Sequence, residues 1–388
     1  MLDLVHRPAV PQLDLSSARR LLVVRLDNIG DVVMTGPALR AIRASAPRAA
    51  LTLLCSPAGR RAAALLPGVD DTIEARVAWQ DVGGLRFDPE RELALVRRLE
   101  SGRFDAAFVF TSFSQSVFPP AFACYLAGIP VRVGQAADFG GSVLSHPVAP
   151  APDGSHQVDR NLRLVEGLGI PAPDRRLAVR IEPGAAARAS RLLARVGVAP
   201  DEPFVAIAPG ASARARRYPA ARYGLVAAEL ASALGWPIVV VGGDRDLEDA
   251  ARILAAAPRA RSLAGETSIP EWAAVIRAAR LVVTSHSAPL HLADAVRTPV
   301  VCLFSGTDRE SEWRPRDTPA VLLREPTACA PCRLFDCPIG LPCLDVEPAA
   351  VVEAGLSLLG HIPHGAKRSA AAIPPSSALE DSWTASAY

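Results

Sequence analysis

Short apolar runs rich in valine, isoleucine and leucine alternate along the chain with stretches of alanine, leucine and arginine at helical spacing. This alternation limits the fold more than any single motif does. A short run that is apolar on both faces is stable as a strand only when both faces are covered. Strand–helix repeats supply that cover by building a parallel sheet with helices on each side. In the first half the strand candidates are Leu21–Arg25, Leu51–Cys55, Asp105–Phe110 and Val131–Gly134. Helical stretches fall between them, among them Pro37–Ala46, Pro89–Leu99 and His156–Leu168.

The proline-rich segment Pro171–Gly184 interrupts the alternation and reads as a linker. A second series follows: FVAIAPG, PIVVVGGD, ARSLAG, RLVVTSHS and PVVCLFSG. At 388 residues the chain is too long for one ordinary core, and its 50% hydrophobic content can fill two. The expected fold class is α/β, with two doubly wound domains facing across a cleft. The expected boundaries are an N-terminal extension over 1–19, domains over 20–175 and 185–360, and a disordered Ala/Ser/Pro-rich tail over 361–388.

A net charge of +2 gives no ground for a nucleic-acid partner, although local arginines can still hold phosphates. The opening residues Met1–Leu15 carry acids and prolines where a signal peptide would need an apolar core. No apolar run approaches the roughly 20 residues of a spanning helix. A cytoplasmic protein is therefore expected, and in that reducing compartment its seven cysteines are not expected to form structural disulfides.

In open α/β sheets ligands bind beyond the carboxyl ends of the strands, so those loops carry the candidate chemistry. The first is RLDNIGDV, where Gly30 permits a tight turn and Asp31 stands at the start of a helix. Read locally, Asp31 is an N-terminal cap. The loop lacks a G-x-G-x-x-G fingerprint, so a dinucleotide site is poorly supported. The second, APGASARARRYPAARY, combines a turn around Ser212 with Arg214, Arg216 and Arg217 and suits either a phosphate or plain solvation. The third, VVTSHSAPLHLADA, places Ser287 as a helix cap, with free amides open to an anion and His291 a turn further on. In the VGGDRD turn, Asp246 is either a ribose-binding acid or an ordinary capping residue.

Cys329, Cys332, Cys337 and Cys343 lie in one loop. They can be read as a structural zinc or iron–sulfur site, with no open position for catalysis, or as packed or redox-labile thiols. SFSQSVFPPAFACYLAG reads as a core helix, with shaping an acceptor cleft or touching a membrane as alternatives.

Taken in order, VVRLDNIGDVVMTGPALRAI, IAPGASARARRYPAARY, LAGETSIPEWAAVIRAARLVVTSHSAPLHLADAV and PVVCLFSGTD resemble glycosyltransferase family 9, the ADP-heptose:lipopolysaccharide heptosyltransferases. The resemblance runs from about Arg20 to Val352, and the cysteine loop looks like one found in many relatives. It implies a GT-B architecture, with the acceptor on the N-terminal domain and the nucleotide-sugar on the C-terminal one. It also implies inversion at the anomeric carbon without a catalytic cofactor. Asp31 falls on the family's catalytic base, and Arg216 on a basic phosphate-binding residue that is usually lysine. His291 matches the family's histidine. His286-Ser287-Ala288 stands where the family usually has Asp-Thr-Gly.

With the loop readings of Ser212 and Asp246 added, the expected donor site is Ser212, Arg216, Asp246, His286, Ser287, Ala288 and His291. The implied partners are an ADP-heptose-like donor and a lipopolysaccharide-core or other surface-glycan acceptor, met at the cytoplasmic face of the inner membrane through a peripheral contact. A GT-B sugar-nucleotide epimerase and a non-catalytic nucleotide-sugar-binding paralogue are the alternatives.

Overall fold

The computed structural model of the protein describes residues 13–113 and 115–360. The expected tail and the first twelve residues of the expected extension lie outside the described residues. The first series runs β1 (Arg20–Arg25), α1 (Ile29–Met34), α2 (Gly36–Ser45), β2 (Ala50–Cys55), α3 (Pro57–Ala63), β3 (Asp71–Glu74), α4 (Pro89–Gly102), β4 (Ala106–Val109), α5 (Phe118–Leu126), β5 (Val131–Gln135), β6 (His146–Val148) and α6 (Gln157–Glu166). Residues 171–182 hold neither helix nor strand.

The second series runs α7 (Pro183–Arg195), β7 (Val205–Ala208), α8 (Ala220–Leu234), β8 (Ile238–Val240), α9 (Leu247–Ala256), β9 (Arg261–Ser262), α10 (Ile269–Ala278), β10 (Leu281–Ser285), α11 (Ala288–Val296), β11 (Val300–Leu303), α12 (Glu310–Trp313), β12 (Ala320–Leu323) and α13 (Pro348–Leu358).

Each series forms a six-stranded sheet, in the orders β3-β2-β1-β4-β5-β6 and β9-β8-β7-β10-β11-β12. The strand pairs of both sheets are parallel, with Leu21 beside Ala106 in one and Leu281 beside Val205 in the other. The two orders are the same when counted from the first strand of each series. Both therefore reverse direction between their first and fourth strands, and a ligand crevice is expected at the carboxyl end of that step. The exits of β1 and β4 make one such point, those of β7 and β10 the other.

The α/β expectation holds because the central strands are apolar on both faces: residues 21–25 of β1 and all of β10 are buried. Three short edge strands, β3, β6 and β12, escape the sequence pattern because DTIE, HPV and the half-buried AVLL do not read as core runs. One apolar cluster runs from Val33 and Met34 of α1 to Leu290 and Ala293 of α11, so the two sheets are joined by packed side chains. The stretch expected as a core helix becomes α5, which buries Ala121 and Cys124 but exposes Phe122, Tyr125 and Leu126. Among the described residues, no helix is long and apolar enough to cross a membrane.

Candidate active site

At the exit of β1, Asn28 takes an extended backbone and caps α1, placing Asp31 at the third helical position. Asp31 is therefore not itself the cap that its local sequence suggests. Its Oδ2 accepts from the Asn28 backbone N–H at 3.2 Å. Its Oδ1 accepts from Arg25 Nη2 at 3.1 Å and from the Ser112 hydroxyl at 3.0 Å. The Ser112 hydroxyl in turn lies 2.8 Å from Arg25 Nη2. The Arg25 side chain has no exposed surface and also meets Asp27, Nε to Oδ2, at 3.2 Å. Asp27 is tied by Gln115 Nε2 at 2.6 Å, and burial pushes its carboxyl up against the opposing pull of Arg25. Asp31 keeps 15% of its side chain exposed, against 6% for Asp27, so it is the carboxylate of the pair that a ligand can reach.

The second crevice is built from three strand exits. After β7, a single 3-10 turn, Arg214–Arg216, brings Arg216 Nη2 to 2.7 Å from Asp308 Oδ2. Arg216 Nε also donates to the Thr307 hydroxyl at 3.2 Å. After β10, buried His286 reaches the same carboxylate with Nε2 at 3.0 Å, and its ring stacks on Phe304 at 4.2 Å. Burial, with the Arg216 charge added, pushes the His286 imidazole down to about 4, so it is neutral near pH 7. Asp308 is desolvated as well, yet bonds from His286 and the charge of Arg216 hold its carboxyl well below the usual range. Arg333 closes the group, Nη1 to Asp308 Oδ1 at 2.7 Å and Nη2 to Glu312 Oε1 at 2.6 Å.

Ser287 does occupy the cap position of α11, but its hydroxyl donates to Gly210 O at 2.8 Å instead of capping the helix. Of the first three positions of α11, Pro289 has no N–H and Leu290 N–H donates to Ser287 O at 3.0 Å, which leaves the Ala288 N–H for another acceptor. Asp246 makes a capping contact, its Oδ2 accepting from Gly243 N–H at 2.9 Å, and packs against Gly210 and Gly242. Ser212 is exposed on its turn.

The two crevices meet where α1 crosses α11. A Cβ on Gly30 would stand 2.7 Å from His291 Cδ2 and 3.6 Å from Ala288 Cα, so only glycine permits this approach. Beside it, Phe113 from the β4 exit meets Trp313 of α12 edge-on at 5.5 Å, and Arg333 lies over the Phe113 ring at 5.4 Å. Asp31, His291, Arg216 and His286 are therefore gathered around one interdomain seam, although Asp31 and Arg216 come from opposite sheets.

Residues 92–341 match the family model of glycosyltransferase family 9 (heptosyltransferase). The chain belongs to this family. Lipopolysaccharide heptosyltransferase 2 of Escherichia coli (strain K12) is 26% identical over 356 residues, covering 88% of this chain and 98% of the relative. The glycosyltransferase family 9 structure from Veillonella parvula DSM 2008 superposes with a TM-score of 0.73 at 18% identity, covering 90% and 99% of the two chains. E. coli heptosyltransferase WaaC with ADP-2-deoxy-2-fluoro heptose gives 0.60 at 18% identity over 79% and 93%. These likenesses support the GT-B fold, and family membership makes the protein a glycosyltransferase of the heptosyltransferase kind.

Within this family 9 chain, sequence reasoning missed Arg25, Ser112, Asp308, Glu312 and Arg333. Arg25 carried a signal, a charge ending an apolar run, and Asp308 another, an acid in SGTD at a strand exit. Arg333 carried none, because its partners Asp308 and Glu312 stand 25 and 21 residues away at the β11 exit. The four loop thiols differ in exposure. Cys329 is exposed, Cys332 and Cys337 are half-buried and Cys343 is buried. Among the described residues, no three histidine, cysteine or acidic side chains gather as a metal ion would need.

Proposed function

We propose that the protein transfers heptose, with inversion and without a catalytic metal, from an ADP-heptose-like donor to a lipopolysaccharide-core acceptor. The observation that carries this reading is the close approach of α1, which bears Asp31, to α11 at Gly30 and His291, beside the Arg216–His286–Asp308 group. Displacement at an anomeric carbon needs a base for the incoming hydroxyl and charge stabilisation for the departing diphosphate. Asp31 takes the first role: Arg25 and Ser112 hold one oxygen, Asn28 the other, and its exposed edge faces the ligand side. Arg216 and the Ala288 N–H at the start of α11 take the second, a task that side chains and backbone can perform without a metal.

His286 supplies a neutral N–H to Asp308 where an aspartate would have added negative charge, which favours an anionic donor. The relatives support the substrate: two E. coli homologues are named lipopolysaccharide heptosyltransferases, and WaaC was solved with an ADP-heptose analogue. A base acting alone from the acceptor side suits a single in-line displacement, and hence inversion. The same proposal has the protein act on that acceptor at the cytoplasmic face of the inner membrane.

Asp31→Asn tests the mechanism. Asparagine keeps the size and an accepting oxygen, so ADP binding should persist while transfer to the acceptor falls by a factor of roughly a hundred or more. Unchanged turnover in this variant sinks the assignment of Asp31.

A further inference from the structure

We infer that Arg333, carried by the cysteine loop, is a second diphosphate-binding residue that works beside Arg216. The inference rests on the nucleotide-sugar reading above and adds a residue that neither motif nor resemblance assigned.

The loop is anchored to both strand exits that frame the phosphate side. Cys332 N–H donates to Gly306 O at 3.0 Å and Arg333 N–H to Thr307 O at 2.9 Å, while Ala215 N–H donates back to Phe335 O at 2.9 Å. Those bonds hold Arg333 at a φ of 57°, in the left-handed region that costs a non-glycine residue energy and persists only where its surroundings impose it.

The two carboxylate oxygens of Asp308 are divided between the arginines. Oδ2 takes Arg216 and Oδ1 takes Arg333, each at 2.7 Å. Two guanidinium forks on opposite oxygens of one carboxylate stand side by side, an arrangement suited to two linked phosphoryl groups. Neither fork is sealed: 28% of the Arg216 side chain and 34% of that of Arg333 remain exposed. Each guanidinium has five N–H donors, and the bonds to Asp308, Glu312 and Thr307 leave several unused. The Arg333 plane covers Phe113, and the adjacent Ser112 bonds Asp31. Arg333 thus stands between the phosphate side and the base, where charge develops as the diphosphate departs.

The competing role is a structural brace between Asp308 and Glu312. Wild type, Arg333→Ala, Arg333→Gln and Arg333→Lys are titrated with ADP, inorganic pyrophosphate and adenosine, by calorimetry or, for weak ligands, by ligand-observed NMR. Removing the guanidinium should weaken ADP and pyrophosphate roughly ten- to a hundredfold, leave adenosine unchanged, and be partly restored by lysine. Equal ADP and pyrophosphate affinities in wild type and Arg333→Gln overturn the inference. So does a parallel loss of all three ligands, which is the mark of a brace. Wild type that binds pyrophosphate but not ADP, with the pyrophosphate weakened in Arg333→Gln, sustains Arg333 while removing the ADP-heptose donor. Wild type that binds neither removes both.

Discussion

At Arg25 a guanidinium without exposed surface sits between Asp27 and Asp31, and its Nη1 has no hydrogen-bond partner. Such a group is retained at a cost, since a buried ion pair must offset the desolvation of each member. Here the cost has a use. The same guanidinium that neutralises Asp27 also holds one oxygen of Asp31, leaving its reach toward the seam controlled by geometry. Arg25→Ala would strand two carboxylates and should lower unfolding free energy by about 3–5 kcal/mol, read by urea denaturation. Arg25→Lys, which keeps the charge and loses the fork, should recover part of that. A full-stability alanine variant would show that the pairing contributes nothing.

At the scale of elements, the seam depends on how closely α1 and α11 approach. Gly30 is the contact point, and its missing side chain is what lets His291 pack against the turn of α1. Gly30→Ala forces the His291 ring or the helix axis to move, an overpacking expected to cost about 1–3 kcal/mol. Turnover should fall as well, because Asp31 is the next residue and moves with the turn. Adding His291→Ala to Gly30→Ala should restore stability beyond the sum of the single effects; strict additivity in that cycle would mean that the two sites do not touch.

Across the whole molecule, the seam is also where buried histidines collect. Burial, together with neighbouring positive charge, pushes His156 and His286 down to about 4 and His291 to about 3. His156 bonds Arg314 O at 3.0 Å, and Asp159 of the same helix pairs with Arg316 at 2.8 Å, both across the seam. An unfolded chain takes up protons at these positions below about 6.5, while the native chain refuses them until near pH 4. The stability they contribute is therefore complete above about 6.5 and is lost as pH falls toward 4. Asp308, held low, gives way only in stronger acid. Melting temperature should decline through that window, with a shallower slope in His286→Asn. A flat profile there would contradict the burial of these rings.

Local patterning was enough to locate the elements, because side-chain period and burial on both faces are short-range properties of the chain. It placed β1, β2, β4 and β5, the strands β7 to β11 of the second half, and the loops that bear Asp31, Arg216 and His286. It did not reveal partnerships: Ser112 meets Asp31 from 81 residues away, and Thr307 meets Arg216 from 91. It also misplaced two roles, the cap at Asn28 and the Ser287 hydroxyl, because a polar side chain takes whichever acceptor or donor the fold brings nearest. Family resemblance pointed to Asp31, Arg216 and His291. Only the tertiary structure brought Arg25, Asp308 and Arg333 to them, since ion pairing depends on separations of a few ångströms that no spacing along the chain encodes.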